Sequence, residues 1–549
     1  METQIQNEKP RLVSTGQGFS FLNTVEYKGR LLYSKYNPSR AVESVIEKTD
    51  ILPGTLVVLY SPLLWYGLEK LVSKLPEGCS IIAIEADPEL EILAREKLKE
   101  SVHADKVSLF NLKNASVIER EIKALLSTGT IKRSIRIDFS AGVQFSKELY
   151  DYTALAIQDI VGTFWKNRIT LAKFGRLFSK NLVSNLKKLS ASYLIEDVEK
   201  TVERPLLVLG AGEGLDTIDW SKTDRRAFFI LAVDAALAPL LSRGIVPDAV
   251  VGMESQVAIQ KAYTGTEGML RNSNILFFAD LSSRHEIVDQ MEQANARTIF
   301  FASRYADGRF FDGLAEQGLL KNYILPMGSV GLAAFYLALR LRKSESVEIY
   351  AAGLDFSYSI GFTHAKATMA HKERLANSTR IVPVENMDAA FGQGAEFIAS
   401  KDGRKIVTTK LLSSYAKQFT NLFKEYRNVY DASETGLDLA LQRKSTETVR
   451  YDSSLGGIRF PVEITDRRKK TESFVEEEIR ALKKAKSLLS EGEKSEYYNG
   501  EKLEEQVKEL LSPREYLYLH FPDGYCYSGS QSFLKRIRAE IDYFLKLLG

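Results

Sequence analysis

The feature that most constrains this chain is a unit repeated between residues 200 and 435: a short apolar run, a polar turn, a helix-length stretch, and the next apolar run. Pro205 to Leu209, Ala227 to Val233, Ala249 to Gly252, Ile275 to Ala279, Thr298 to Ala302 and Val347 to Ala352 are such runs. Continuous apolar strands alternating with helix-length segments are buried on both faces, as in a parallel sheet. Helices expected at Ala235 to Ser242 and from Gly328 through Leu341 complete a doubly wound α/β fold. In such folds the functional loops follow the carboxyl ends of the strands.

Residues 1–145 repeat the pattern on a smaller scale, with runs at Leu56 to Tyr60, Ser80 to Glu85, Val107 to Phe110 and Ile135 to Phe139, and an amphipathic stretch from Tyr66 to Leu75. A smaller Rossmann-like N-terminal domain is predicted there. Glu85 and Asp87 stand where such a sheet holds a ribose, yet the first turn, Tyr60 to Gly67, lacks the glycine triplet that admits a pyrophosphate. The expectation is a nucleotide-type scaffold without a nucleotide. Residues 146–199 read as a connector, helical throughout from Lys147 to Val198. Residues 200–435 form the central domain and 436–549 a mostly helical C-terminal module. Its helices are expected over Glu472 to Leu489, Glu501 to Leu511 and Phe533 to Leu548, with Tyr516, Tyr518, Phe521, Tyr525 and Tyr527 clustered between the last two. Arg467 to Lys470 reads as a solvated approach to the first of these helices, because acidic residues follow closely.

Composition removes several function classes. Lys and Arg number 74 against 71 Asp and Glu, a net charge of +3, so a dedicated nucleic-acid binder is not indicated. Two cysteines, Cys79 and Cys526, make neither a disulfide framework nor a Cys-rich zinc site. Met1 to Pro10 is polar, and no apolar stretch approaches the ~18 residues of a membrane span. A cytoplasmic protein is expected.

The chemistry-bearing residues gather at the strand ends. Gly210-Ala211-Gly212-Glu213-Gly214 leaves a strand, and serves either as a cradle for phosphate at a helix start or as a tight turn only. If it is the cradle, Gly212→Val abolishes nucleotide binding and leaves the fold intact. Asp234, Asp248, Glu254 and Asp355 each lie at or near a strand end, where carboxyls share one crevice or simply cap helices and turns. Of the five histidines, His103, His285, His364, His371 and His520, no two have the i, i+4 spacing of a helical zinc site. His364 lies nine residues past Asp355 on a polar loop leaving a strand, the place for a general base, with His371 in reserve.

Six short motifs occur in order: Gly210-Ala211-Gly212 with Leu215-Asp216, Ala232-Val233-Asp234, Gly244-Ile245-Val246-Pro247-Asp248, Gly328-Ser329-Val330-Gly331, Gly353-Leu354-Asp355-Phe356 and Thr363-His364. Together they resemble the motility-associated factor (Maf) flagellin glycosyltransferase family, whose central region carries a 6-hydroxymethylpterin diphosphokinase MptE-like domain. The resemblance spans about 200–435 and extends weakly to Ser34-Lys35-Tyr36-Asn37-Pro38 and Glu85-Ala86-Asp87-Pro88-Glu89. It implies a sialyltransferase-like central domain that transfers a nonulosonic, sialic-acid-like sugar from a CMP-activated donor to Ser or Thr of flagellin, supporting flagellar assembly and motility. By that carry-over Gly210, Gly212 and Gly214 line the nucleotide phosphate, and Ser329 and Asp355 border the CMP-sugar. Asp216, Asp234, Asp248 and Glu254 are further donor-binding candidates, and His364 and Asp355 the catalytic ones. No metal ligands and no required cofactor are implied, although Mg²⁺ is compatible. The chain departs from the family in placing Glu213 and Gly214 where Pro and Ser are usual, and Glu254 where Asp is usual. The alternatives are a Mg²⁺-dependent pterin pyrophosphokinase and a catalytically degenerate flagellin-binding protein.

Overall fold

Five of the apolar runs become strands with every residue buried: Leu206–Leu209, Phe229–Val233, Ala249–Gly252, Leu276–Asp280 and Ile349–Ala352. They belong to a computed structural model that describes residues 9–15, 22–271, 273–305, 309–384, 392, 394–461, 464–492, 500–524 and 526–549. The chain divides into two compact units, residues 1–173 with 519–526, and residues 174–518 with 527–549. Among the described residues, no helix is long and apolar enough to cross a membrane.

The second unit is built on a nine-stranded sheet in which every pairing is parallel. From one edge its order is Gln442–Arg443, Val429–Asp431, Ile349–Ala352, Leu206–Leu209, Phe229–Val233, Ala249–Gly252, Leu276–Asp280, Arg297–Phe301 and Tyr193–Leu194. From Leu206–Leu209 the chain winds outward strand by strand to Arg297–Phe301, then returns to lay Ile349–Ala352 on the other side of its starting strand. That reversal is the topological switch point, where the loops after neighbouring strands part and leave a crevice. The helix Val330–Leu341 packs over it, with Leu332, Ala333, Ala334, Phe335, Leu337, Ala338 and Leu341 buried in the main core. The doubly wound α/β fold expected from the run pattern is therefore present.

Two segments differ from expectation. The stretch from Lys147 to Val198 is not helical throughout. One helix, Lys147–Leu186, is followed by the edge strand Tyr193–Leu194 and a single helical turn, Ile195–Val198. Tyr193 and Leu194 pair with Ile299 and Phe300, so an exposed edge supplied by the sheet overrides local helical preference. Two further elements lie outside the apolar-run pattern: Val429–Asp431, which extends the sheet, and the antiparallel hairpin Ala395–Ala399 with Lys405–Thr409.

Helices Thr465–Gly492, Gly500–Leu511 and Gln531–Leu548 lie in the same unit as this sheet. Buried Glu478 accepts from Arg514 at 2.7 Å and from the Tyr516 hydroxyl at 2.9 Å. Tyr516 packs edge-on to Phe310 and Phe544, and Tyr518 and Tyr527 both meet Phe533; Tyr525 lies outside the described residues. Arg467 is not a solvated charge: it donates to Asp197 at 2.6 Å and to the Ser192 carbonyl at 2.8 Å, fastening its helix.

The first unit holds a four-stranded parallel sheet in the order Val107–Asn111, Ser80–Glu85, Thr55–Tyr60 and Arg133–Asp138, beside an antiparallel set at Arg11–Ser14, Asn23–Tyr27 and Arg30–Leu31. Glu85 is buried, accepting the Tyr150 hydroxyl at 2.7 Å and the Ala86 N–H at 2.9 Å. Asp87 caps the helix Pro88–Lys99 and takes Lys28 at 2.8 Å. Both carboxylates are committed to their own unit.

Asp248 is corrected by this topology. It precedes Ala249–Gly252 and so lies at the amino edge of the sheet, opposite the crevice. Its carboxylate accepts the Ile230 N–H at 2.8 Å, Arg225 at 2.9 Å and Arg204 at 3.2 Å. It stitches two strand starts together. Asp248→Ala is expected to destabilise the chain by roughly 1–3 kcal/mol through the N–H and guanidinium groups left unpaired, read as a lower urea midpoint, with donor binding unchanged.

Candidate functional site

Two turns meet at the switch point. The turn after Leu206–Leu209 carries Gly210, Gly212 and Gly214; the turn after Ile349–Ala352 carries Gly353, Leu354 and Asp355. Their backbones touch directly: Gly210 N–H donates to the Ala352 carbonyl at 2.8 Å and Gly212 N–H to the Gly353 carbonyl at 2.9 Å. Gly214 N–H donates to Asp355 Oδ2 at 2.6 Å. Gly353 holds a left-handed φ of 69°, and its N–H reaches the Ser433 hydroxyl at 2.9 Å. A side chain at Gly210 would drive into the Gly353 carbonyl, and one at Gly212 or Gly214 into the Asp355 carboxylate. The three N–H groups expected to cradle phosphate are thus spent inside the protein. Glycine is required because two turns interlock, as the tight-turn reading expects.

This contact fixes the loop bearing His364. The Ala365 N–H donates to the Ala211 carbonyl at 2.8 Å, and the Lys366 N–H to Asp216 Oδ2 at 2.9 Å. Arg243 holds the other oxygen of Asp216. Glu213 turns away, taking Arg404 and the Ser359 N–H, each at 3.2 Å.

Between the turns, the His364 loop and the start of Val330–Leu341 lies a pocket of about 220 Å³. Of the sequence-predicted residues it gathers Gly210, Gly212, Ser329, Asp355 and His364. Ser329 caps the helix, its hydroxyl accepting the Gly331 N–H at 3.3 Å, so a positive helix end opens on the cavity. Tyr358, Leu354, Val330 and Leu412 supply apolar wall. Phe356 adopts a left-handed φ of 47°, unusual for so bulky a residue, with the Thr408 hydroxyl on its carbonyl at 3.0 Å.

The other predicted residues lie elsewhere. Gly214 and Asp216 stand behind the pocket as its scaffold. Asp234 is buried at the start of helix Asp234–Ser242, accepting the Ala235 N–H at 2.7 Å, while Glu254, one strand over, is exposed and caps Gln256 N–H at 2.9 Å. The reserve histidine, His371, is buried with its ring stacked on Phe362.

Burial sets the electrostatics. It pushes the carboxyls of Asp355 and Asp234 each up to about 7. Asp355 Oδ1 is buried without a hydrogen-bond partner among the described residues, close to the buried Lys401–Asp431 pair. Desolvation first, then the Arg374 charge, hold His364 below the ordinary imidazole range, so it is neutral at neutral pH. Its Nδ1 shares a hydrogen bond with the Thr363 hydroxyl at 3.1 Å. Sequence reasoning missed Arg374, Lys401 and Asp431. The first is one of many helix-borne cations, and the other two belong to elements that it did not find.

The family described as 6-hydroxymethylpterin diphosphokinase MptE-like matches residues 178–361. An uncharacterized protein of Treponema pallidum (strain Nichols) is 31% identical over 569 residues, covering 98% of this chain and 95% of that one. The structure of a Maf glycosyltransferase from Magnetospirillum magneticum AMB-1 is similar with a TM-score of 0.57 and 13% identity, over 99% of this chain and 92% of that one. That likeness shows a shared fold.

The interlocked turns replace the expectation for Gly212. Even Gly212→Ala should lower stability, by roughly 1–3 kcal/mol for a methyl forced into a filled site, seen as a lower calorimetric midpoint; an unchanged midpoint would contradict the interlock. Asp234 generates a pH test. A carboxyl raised from 3.8 to about 7 by folding keeps its proton in the folded chain after the unfolded chain has lost it. Its stability contribution is complete below 3.8 and is lost as pH rises through about 7. Asp234→Asn should flatten the fall in urea midpoint between these limits; an unaltered slope would refute the shift.

Proposed function

Because the chain belongs to one family with the treponemal protein, and carries an MptE-like domain within the fold of a Maf glycosyltransferase, we propose that it is a glycosyltransferase. Its donor is a CMP-activated nonulosonic sugar and its acceptor Ser or Thr of flagellin, in the cytoplasm and without a required metal. One observation carries this reading: a neutral histidine and a helix N-terminus face one pocket at the switch point of the sheet. Transfer to a hydroxyl needs both. The acceptor oxygen bonds to the anomeric carbon while the bond from that carbon to the CMP phosphate oxygen breaks, through an oxocarbenium-like state. With Nδ1–H donated to Thr363, His364 Nε2 is free to take the acceptor proton. The Ser329–Gly331 end of the helix faces the negative charge growing on the departing phosphate. The glycine turn holds these parts in register.

The MptE-like match favours a second reading, pyrophosphoryl transfer to a pterin. That chemistry uses closely spaced carboxylates to hold Mg²⁺ on ATP. Asp234 and Glu254 lie at adjacent strand ends, but Asp234 is buried against the Ala235 N–H, which ranks this reading second.

His364→Ala should lower turnover by about 10²–10⁴ while CMP binding stays the same, because a base acts in the transition state. His371→Ala, a buried packing residue, should alter stability rather than the chemical step. A thermal-shift comparison of CMP with ATP plus Mg²⁺ separates the readings: stabilisation by CMP is expected, and stabilisation by ATP plus Mg²⁺ alone would put the pterin kinase first.

A further inference from the structure

A second cavity, of about 520 Å³, opens at the amino edge of the nine-stranded sheet, opposite the switch-point crevice. That is a usual size for a small-molecule site. Its floor is built from strand starts: Arg204, Phe229, Leu276 and Arg297 stand at or just before the first residues of four strands. The segment 456–460 lies across them and is pinned by its backbone. The Gly456 carbonyl accepts the Glu203 and Arg204 N–H groups at 3.0 and 3.1 Å, and the Gly456 N–H donates to the Glu203 carboxylate at 3.0 Å. Further along, the Phe460 ring packs on Tyr193 with the centroids 4.5 Å apart.

The lining carries three guanidinium groups, of Arg204, Arg225 and Arg297, and one carboxylate, of Asp248. Arg204 and Arg225 are half-buried and share that carboxylate, at 3.2 and 2.9 Å. Their remaining bonds go to carbonyls, among them Phe228 at 3.1 Å from Arg204 and Val246 at 2.6 Å from Arg225. Carbonyls satisfy N–H groups but cancel no charge. Arg297 adds a third cation, held 5.4 Å from the centroid of the Phe460 ring. Three charges less one leaves a surplus of two in one concave space, within a chain whose 549 residues together carry only +3. In a concave, partly desolvated site such a surplus attracts an anion more strongly than scattered surface charge does.

We propose that this amino-edge cavity binds a phosphate monoester with an apolar or aromatic body. A monoester brings nearly two negative charges at neutral pH, matching the surplus, and guanidinium forks suit its oxygens. Phe229, Leu276, Ile458 and Phe460 offer the body an apolar wall. Ser273 and Asn274 are the only uncharged polar side chains of the lining, so a ribose and a pyrimidine find few partners and CMP is not the occupant. The site is independent of the glycosyltransferase reading, which uses the other edge of the sheet.

The test is calorimetric titration of the full-length protein with phenyl phosphate, with phenol and inorganic phosphate as controls for body and charge. Phenyl phosphate should bind most tightly of the three. Arg297→Gln, at an exposed position outside the Asp248 stitch, should weaken it about tenfold, the scale of one charge-assisted hydrogen bond, leaving CMP affinity and the unfolding midpoint unchanged. Arg297→Lys should recover part of the loss. Hydrogen–deuterium exchange of the wild-type chain locates the ligand without any variant: phenyl phosphate should slow exchange in residues 245–249, 273–276 and 456–460. Phenyl phosphate binding no tighter than either control, an affinity intact in Arg297→Gln, or protection confined to the switch-point loops overturns the proposal. CMP binding at the switch point without phenyl phosphate binding would refute this site and leave the donor site standing; phenyl phosphate binding that depends on Arg297, without CMP binding, would do the reverse.

Discussion

The contact on which the rest of the central domain depends is backbone against backbone, where the turn after Leu206–Leu209 locks into the turn after Ile349–Ala352. Three N–H groups, from Gly210, Gly212 and Gly214, donate across it to the Ala352 and Gly353 carbonyls and the Asp355 carboxylate. No Cβ fits at any of the three. The two strands are neighbours in the sheet but 140 residues apart in the chain, since Leu209 and Ile349 bound the excursion. The clamp therefore closes the long arm of the doubly wound fold onto its first strand.

From the clamp runs a chain of restraints that ends at an imidazole. The Ala211 carbonyl and the Asp216 carboxylate of the glycine turn take the N–H groups of Ala365 and Lys366. His364 is thereby held in the wall of a pocket that the capped end of Val330–Leu341 also lines. An imidazole and an anion-favouring helix end are thus fixed by rigid elements, the preorganisation that electrostatic catalysis of the proposed transfer requires. The cost is visible at Asp355, whose buried Oδ1 has no hydrogen-bond partner among the described residues.

The fold was legible because parallel strands buried on both faces write continuous apolar runs, and six of the sheet's nine strands were read this way. Tyr193–Leu194 and Val429–Asp431 were not, since two or three residues carry no period and their pairing comes from strands distant in sequence. The candidate site was half legible. Gly210, Gly212, Ser329, Asp355 and His364 meet in one pocket because each follows, or sits close beyond, a strand that could be recognised. Asp248 misled because a Pro-Asp turn before a strand looks like one after it. For the glycines, spacing shows that a close approach is needed, but not that the turn after Ile349–Ala352 makes one.

In the proposed transfer the switch-point pocket, and not another surface, receives the nucleotide end of the donor. Hydrogen–deuterium exchange of the full chain with and without CMP tests it most directly. Slowed exchange is expected in residues 211–216, 329–333 and 356–366, with the amino edge around Asp248 unaffected. Protection confined to any other region, or none at saturating CMP, would contradict it.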